Sequence, residues 1–129
     1  MNINHTEIEA AKKRFYNATK QMFFTHNYLL GNLRRANDPD NHNPVFYLEN
    51  ANDHVYNLYT IFIPAFFKAQ KEYTNLVTPL IGVHDFECME IVNSWLLLML
   101  EAANVIRHSA IQANILPDIC APPPPYEDE

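Results

Sequence analysis

Apolar residues recur at steps of three and four along almost the whole chain, and prolines are what interrupt them. With ~3.6 residues per turn, such spacing lays one stripe along a helix. The first run reads Ile8, Ala11, Phe15, Ala18, Met22 and Leu29, with Thr25 in the slot between the last two. Phe23, Leu30 and Leu33 widen it. Thr6-x-x-Glu9 reads as a capping box, so the helix opens at Asn4 or Thr6. Asp38-Pro39 stops it near Asn37, because the residue before a proline is pushed out of the α region.

Asp38 to Pro44 is a polar loop dense in turn formers. The second helix begins between Pro44 and Asp53 and carries Val55, Leu58, Tyr59, Phe62, Phe66, Ala69, Tyr73 and Leu76. Pro64 lies inside it. An interior proline removes one backbone bond and costs about 3 kcal/mol unless a kink absorbs it. The segment is therefore one kinked helix or two helices meeting near Ile63. Thr78-Pro79 and Gly82 end it. Asp85 caps the third helix, with Phe86, Met89, Val92, Leu96, Leu100, Ala103, Ile106 and Ala110 as its stripe and a stop before Pro117.

The fold class follows: all-α, an antiparallel bundle of three long helices, or four if Pro64 breaks the middle one. The bundle spans 1–116, and 117–129 is a disordered Pro-rich tail. Gly31 and Gly82 are the only glycines, which suits long helices with few turns. A hydrophobic share of 48% over 129 residues is enough for one core. The second and third segments are apolar on more than one stripe, at Ile61–Ile63 with Phe66 and Phe67, and at Trp95–Leu100. A helix apolar almost all round must be covered on several sides. A homo-oligomer, or a complex with a partner helix, is expected.

A net charge of −6 disfavours nucleic acid as a partner. The basic residues Lys12, Lys13, Arg14, Lys20, Arg34 and Arg35 follow one helix and read as a solvated face. A peripheral contact with anionic lipid is the sharper alternative. The run Trp95–Leu100 is too short to span a membrane. Met1–His5 has neither the basic nor the apolar region of a signal peptide, so a cytoplasmic or nuclear location is expected rather than secretion.

No constellation in the body carries chemistry. His5, His26, His42, His54, His84 and His108 lack the helical spacing of metal ligands. Ser94 and Ser109 are mid-helix, and Cys88 sits among Asp85, Glu87 and Glu90, which disfavour a thiolate. Cys88 and Cys120 form no metal-binding pair. A non-enzymatic protein without cofactors is expected. Tyr73-Thr-Asn-Leu76 and Tyr59-Thr-Ile-Phe62 fit Tyr-x-x-apolar sorting signals, on faces expected to be buried.

The C-terminal segment is different in kind. Pro122, Pro123, Pro124 and Pro125 populate a polyproline II helix before any partner arrives. Pro123-Pro124-Pro125-Tyr126 matches the Pro-Pro-x-Tyr motif that WW domains bind, with Tyr126 filling one pocket and the prolines stacking on a groove aromatic. Glu127, Asp128 and Glu129 keep it solvated.

In this motif the chain resembles viral structural proteins, such as retroviral and rhabdoviral matrix proteins, whose Pro-Pro-x-Tyr late domains recruit ubiquitin ligases with WW modules and a HECT catalytic domain. The resemblance covers Pro123 to Tyr126 and the general plan of a small helical body joined to a Pro-rich end. The body lacks the basic membrane face or the myristoylation glycine of typical matrix domains. The resemblance implies an adaptor or virion structural protein acting in viral budding or egress. The alternative is a purely structural helical assembly protein with an inert, solvating tail.

Overall fold

A computed structural model describes residues 3–120, with the side chains of 3–109. Its elements are helices: α1 (His5–Ala36), α2 (Pro44–Asn57), α3 (Ile63–Val77) and α4 (Phe86–Cys120). A π turn, Leu58–Phe62, joins α2 to α3, and a 3-10 turn, Thr78–Leu80, follows α3. Among the described residues there is no strand.

Asn4, not Thr6, caps α1. Its side chain accepts the Glu7 N–H at 3.0 Å, and its amide donates to the Glu7 carboxylate at 3.2 Å. This side-chain cap lies two residues before the capping box read at Thr6. The chain then runs about 48 Å at ~1.5 Å per residue to Ala36. In the loop, the Asp40 N–H bonds to the Asp38 carboxylate at 3.0 Å and the Asn43 N–H to the Asn41 side chain at 2.8 Å. Asn43 caps α2, with Pro44 in its first turn, where a missing N–H is no loss.

Pro64 leaves the middle rod continuous, with α2, the π turn and α3 following one another without a gap. The Ile63 N–H reaches back five residues to the Leu58 carbonyl, and φ and ψ stay helical at Phe62 (−80°, −40°) and Ile63 (−66°, −48°). The wider π ring gives the pyrrolidine room against the preceding turn. The extra residue also rotates everything upstream by about 100° relative to a straight helix. Leu58 stays buried, but Val55 and Tyr59, expected inside, are exposed at 37% and 67%.

The three rods run up, down and up. Along α1 and the middle helix, Arg35 lies over the Tyr47 ring, Tyr28 stacks on His54, and Phe15 meets Phe66 and Tyr73. That order is antiparallel. His5 pairs with Glu87 at the opposite end, and Phe15 and Phe23 share a groove with Leu98 and Val105, so α4 runs parallel to α1.

The core lies where all three rods meet. Ile8, Ala11 and Phe15 of α1 pack with Phe66, Ala69, Tyr73 and Val77 of α3 and with Cys88 and Ala102 of α4. Phe15 sits 5.4 Å from Phe66 and 6.0 Å from Tyr73, centroid to centroid. Burying each such ring stabilises by roughly 1.5–3 kcal/mol. Toward the other end α2 packs on α1, and Ala51 is its one buried residue; among the described residues it makes no close approach to α4. Gly82 turns the chain toward α4 at φ 86°, a left-handed value suited to glycine. Asp85 then caps α4, accepting the Glu87 N–H at 2.9 Å.

The stop expected before Pro117 does not occur, and α4 continues to Cys120. One proline deletes one rung of the ladder, and the rungs on either side can carry the helix past it.

Candidate functional site

α4 carries two apolar lines. The inner one reads Cys88, Val92, Trp95, Met99 and Ala102, at steps of four and three. Cys88 and Ala102 are sealed, at 0% and 2% exposure. The Trp95 indole N–H donates to the Thr74 hydroxyl at 3.1 Å, and the Gln70 amide meets the Met99 sulfur at 3.5 Å. This line rests on α1 and α3.

The outer line reads Phe86, Met89, Asn93, Leu96, Leu100, Ala103 and Arg107, at steps of three and four. Phe86 is 77% exposed, Leu100 62%, Met89 50% and Leu96 45%, and Leu97 beside them is 67% exposed. Most of the stripe expected to face the core is thus the solvent face: Phe86, Met89, Leu96, Leu100, Ala103 and Ile106 are all exposed. The reason is composition. α4 is apolar nearly all round, so its period defines stripes without saying which one its neighbours cover. Phe86–Ser109, 24 residues at mean hydropathy 1.4, is long and apolar enough to cross a membrane by length and composition, a longer stretch than the run Trp95–Leu100.

A groove of about 220 Å³ lies between α1 and α4, walled by Tyr16, Phe23, Phe24, Leu98 and Val105. Lys20 and Glu101 stand at its rim, with the Lys20 ammonium 4.7 Å from the Tyr16 ring centroid. The basic residues of α1 are partly engaged within the fold. Arg14 pairs with Glu72 at 3.4 Å, and Arg35 lies over Tyr47 at 5.8 Å.

The histidines are scattered, and among the described residues no three His, Cys, Asp or Glu side chains converge as a ligand set. Burial lowers the His26 pKa below its ordinary 6.5, and the nearby His108 lowers it further. The His26 Nδ1 is buried without a hydrogen-bond partner. Burial pushes the Cys88 thiol up, and the carboxylates of Asp85 and Glu87 push it the same way. A raised thiol pKa keeps Cys88 protonated and unreactive near neutral pH. Of the two sorting-like tyrosines, Tyr73 is buried as expected and Tyr59 is not.

Pro122, Pro123, Pro124, Pro125 and Tyr126 lie outside the described residues, close after the last residue of α4. The described body thus presents an exposed apolar face on α4, and the Pro-Pro-Pro-Tyr segment follows α4 in the sequence. The bulk stripes of Trp95–Leu100 pointed to an unpartnered face, but only the packing shows which residues form it. Compared with known proteins, the chain matches no protein family, no curated protein and no solved structure.

Proposed function

We propose that this protein is a non-enzymatic adaptor or virion structural protein, whose helical body associates through α4 and whose Pro-Pro-Pro-Tyr segment recruits a WW-domain ubiquitin ligase of the HECT type. One observation carries the reading: the helix with the exposed apolar face leads directly into Pro122–Tyr126. A short peptide in a WW groove binds at about micromolar strength, near −8 kcal/mol. Joining several tails through an associating body multiplies that contact without adding a new one. Acting in viral budding or egress is the setting that the late-domain resemblance suggests.

The test is binding of a labelled Pro117–Glu129 peptide to a panel of WW domains. Micromolar binding that Tyr126→Ala removes supports recruitment. Absence of binding across the panel sinks it. What then stands is the second reading, a structural assembly protein with a solvating tail, which the outer face of α4 favours by itself.

A further inference from the structure

The outer line of α4 has the heptad spacing of a coiled-coil seam, as the inner line does. Phe86, Met89, Asn93, Leu96, Leu100, Ala103 and Arg107 fall at alternating steps of three and four over three heptads. In coiled-coil terms Phe86, Asn93, Leu100 and Arg107 are a positions, and Met89, Leu96 and Ala103 are d positions. The residues at c, Cys88, Trp95 and Ala102, point the opposite way, into the monomer core. One helix thus carries one seam for its own bundle and a second seam for something outside it.

We propose that the outer seam of α4 pairs with α4 of a second copy of this chain, as a parallel two-stranded coil registered at Asn93. Three features choose this occupant. The first is area. At the exposures of Phe86, Met89, Leu96 and Leu100, with Leu97 at the flanking e position, the face offers at most about 600 Å² per chain, so a pair buries up to about 1,200 Å², the lower bound of a standard stable interface. A monomer rarely shows that much contiguous apolar surface without a use.

The second feature is Asn93. In a parallel pair, a positions meet their own counterparts, so each Asn93 amide both donates to and accepts from its twin. In an antiparallel pair, a positions meet d positions. Every d position here is apolar, so Asn93 would bury an unpaired amide. A bilayer would leave the same amide unpaired. The third feature is where the seam stops. Arg107 closes it with a long stem whose guanidinium reaches water.

This inference deepens the association half of the proposed function, and it stands or falls separately from the tail. A parallel pair would bring both Pro-Pro-Pro-Tyr segments to one end of the dimer, the arrangement that bivalent docking needs.

The experiment measures mass in solution on the full chain, and flotation with anionic vesicles, for the native protein and Leu100→Asp. Leu100 is exposed, so the variant keeps its helical circular dichroism. The expected result is a species of twice the 15.0 kDa chain mass. A buried charge at Leu100 should weaken the pairing about a hundredfold or more. Orientation is read from Phe86→Cys in a Cys120→Ser background, where Cys88 is sealed from oxidant. A parallel seam gives a covalent dimer from that variant alone. A monomer at high micromolar concentration, a dimer indifferent to Leu100→Asp, or vesicle binding by a monomer lost in Leu100→Asp would each overturn the proposal. So would a cross-link that forms only when Phe86→Cys is mixed with Ala103→Cys, since that pairing is antiparallel.

Discussion

The inner and outer faces of α4 are built from the same kinds of residue at the same spacing. Inside, Cys88, Trp95 and Ala102 fit against α1 and α3, and Trp95 hands its N–H to Thr74. Outside, Phe86, Leu97 and Leu100 are more than half exposed. What differs is the small print of size and polarity. The inner line places its smallest residues, Cys88 and Ala102, where rods approach closely, and its one polar atom finds a partner. The outer line keeps its bulk at Phe86, Leu96 and Leu100 and leaves Asn93 to be answered from elsewhere. In the monomer Asn93 is exposed and water answers it; a second chain can take the water's place.

The largest effect should separate the two faces in the monomer. Trp95→Ala removes a ring from the inner face and a hydrogen bond to Thr74, and should cost about 3–5 kcal/mol by urea unfolding. Leu97→Ala, one residue on, should change the unfolding free energy of the monomer by less than about 0.5 kcal/mol. If the two losses are similar, α4 is not seated as described and the distinction between its faces collapses.

A smaller effect sharpens the outer face. Asn93→Leu replaces the polar layer with an apolar one. Such layers bind more tightly and choose their partners less well. Association should tighten by about tenfold, or ~1.4 kcal/mol, while the mass distribution broadens beyond two chains. Sedimentation of both proteins measures each change. A weaker, still two-chain assembly would mean that Asn93 is not in the seam.

Much of this architecture was legible in the sequence, and the failures share a cause. Three helices, their order and the loop at Asp38–Pro44 follow from stripes and prolines, which act locally. The start at Asn4 or Thr6 narrows to Asn4, whose Asn4-x-x-Glu7 spacing matches that of Thr6-x-x-Glu9. Two things were out of reach. The π turn before Pro64 resets the helical phase, so Tyr59 leaves the line that Phe66 and Tyr73 stay on. On α4, the choice of Phe86, Met89, Leu96 and Leu100 as core was a choice between two valid stripes. Nothing within α4 decides it, because the decision belongs to Phe15, Phe66 and Tyr73 on the other helices. The run Trp95–Leu100 marks α4 as apolar on more than one side, and the packing leaves Leu96, Leu97 and Leu100 of that run exposed.

The smallest effect lies where the inner face is least finished. Near the upper end of the described side chains, Ile106 and Ser109 of α4 meet Met22, Phe23 and His26 of α1 beside Leu58 and Ile63. His26 is the odd residue there, with a buried Nδ1 that no group answers. Burial favours its neutral form and holds its pKa below 6.5, and His108 adds to this when it is protonated. The folded state therefore binds fewer protons than the unfolded one in the window between the lowered value and 6.5. Stability contributed by the neutral ring is fully present above 6.5 and is lost as pH falls through that window. His26→Met fills the same space without an unpaired nitrogen. It should stabilise the fold by about 1 kcal/mol at neutral pH. It should also flatten the acid limb of stability below pH 6.5. Thermal unfolding of both proteins across that range measures both effects. An unchanged acid limb would mean that His26 is protonated as easily in the fold as outside it, and that this stretch of α4 lies less close to α1 than the rest of the inner face.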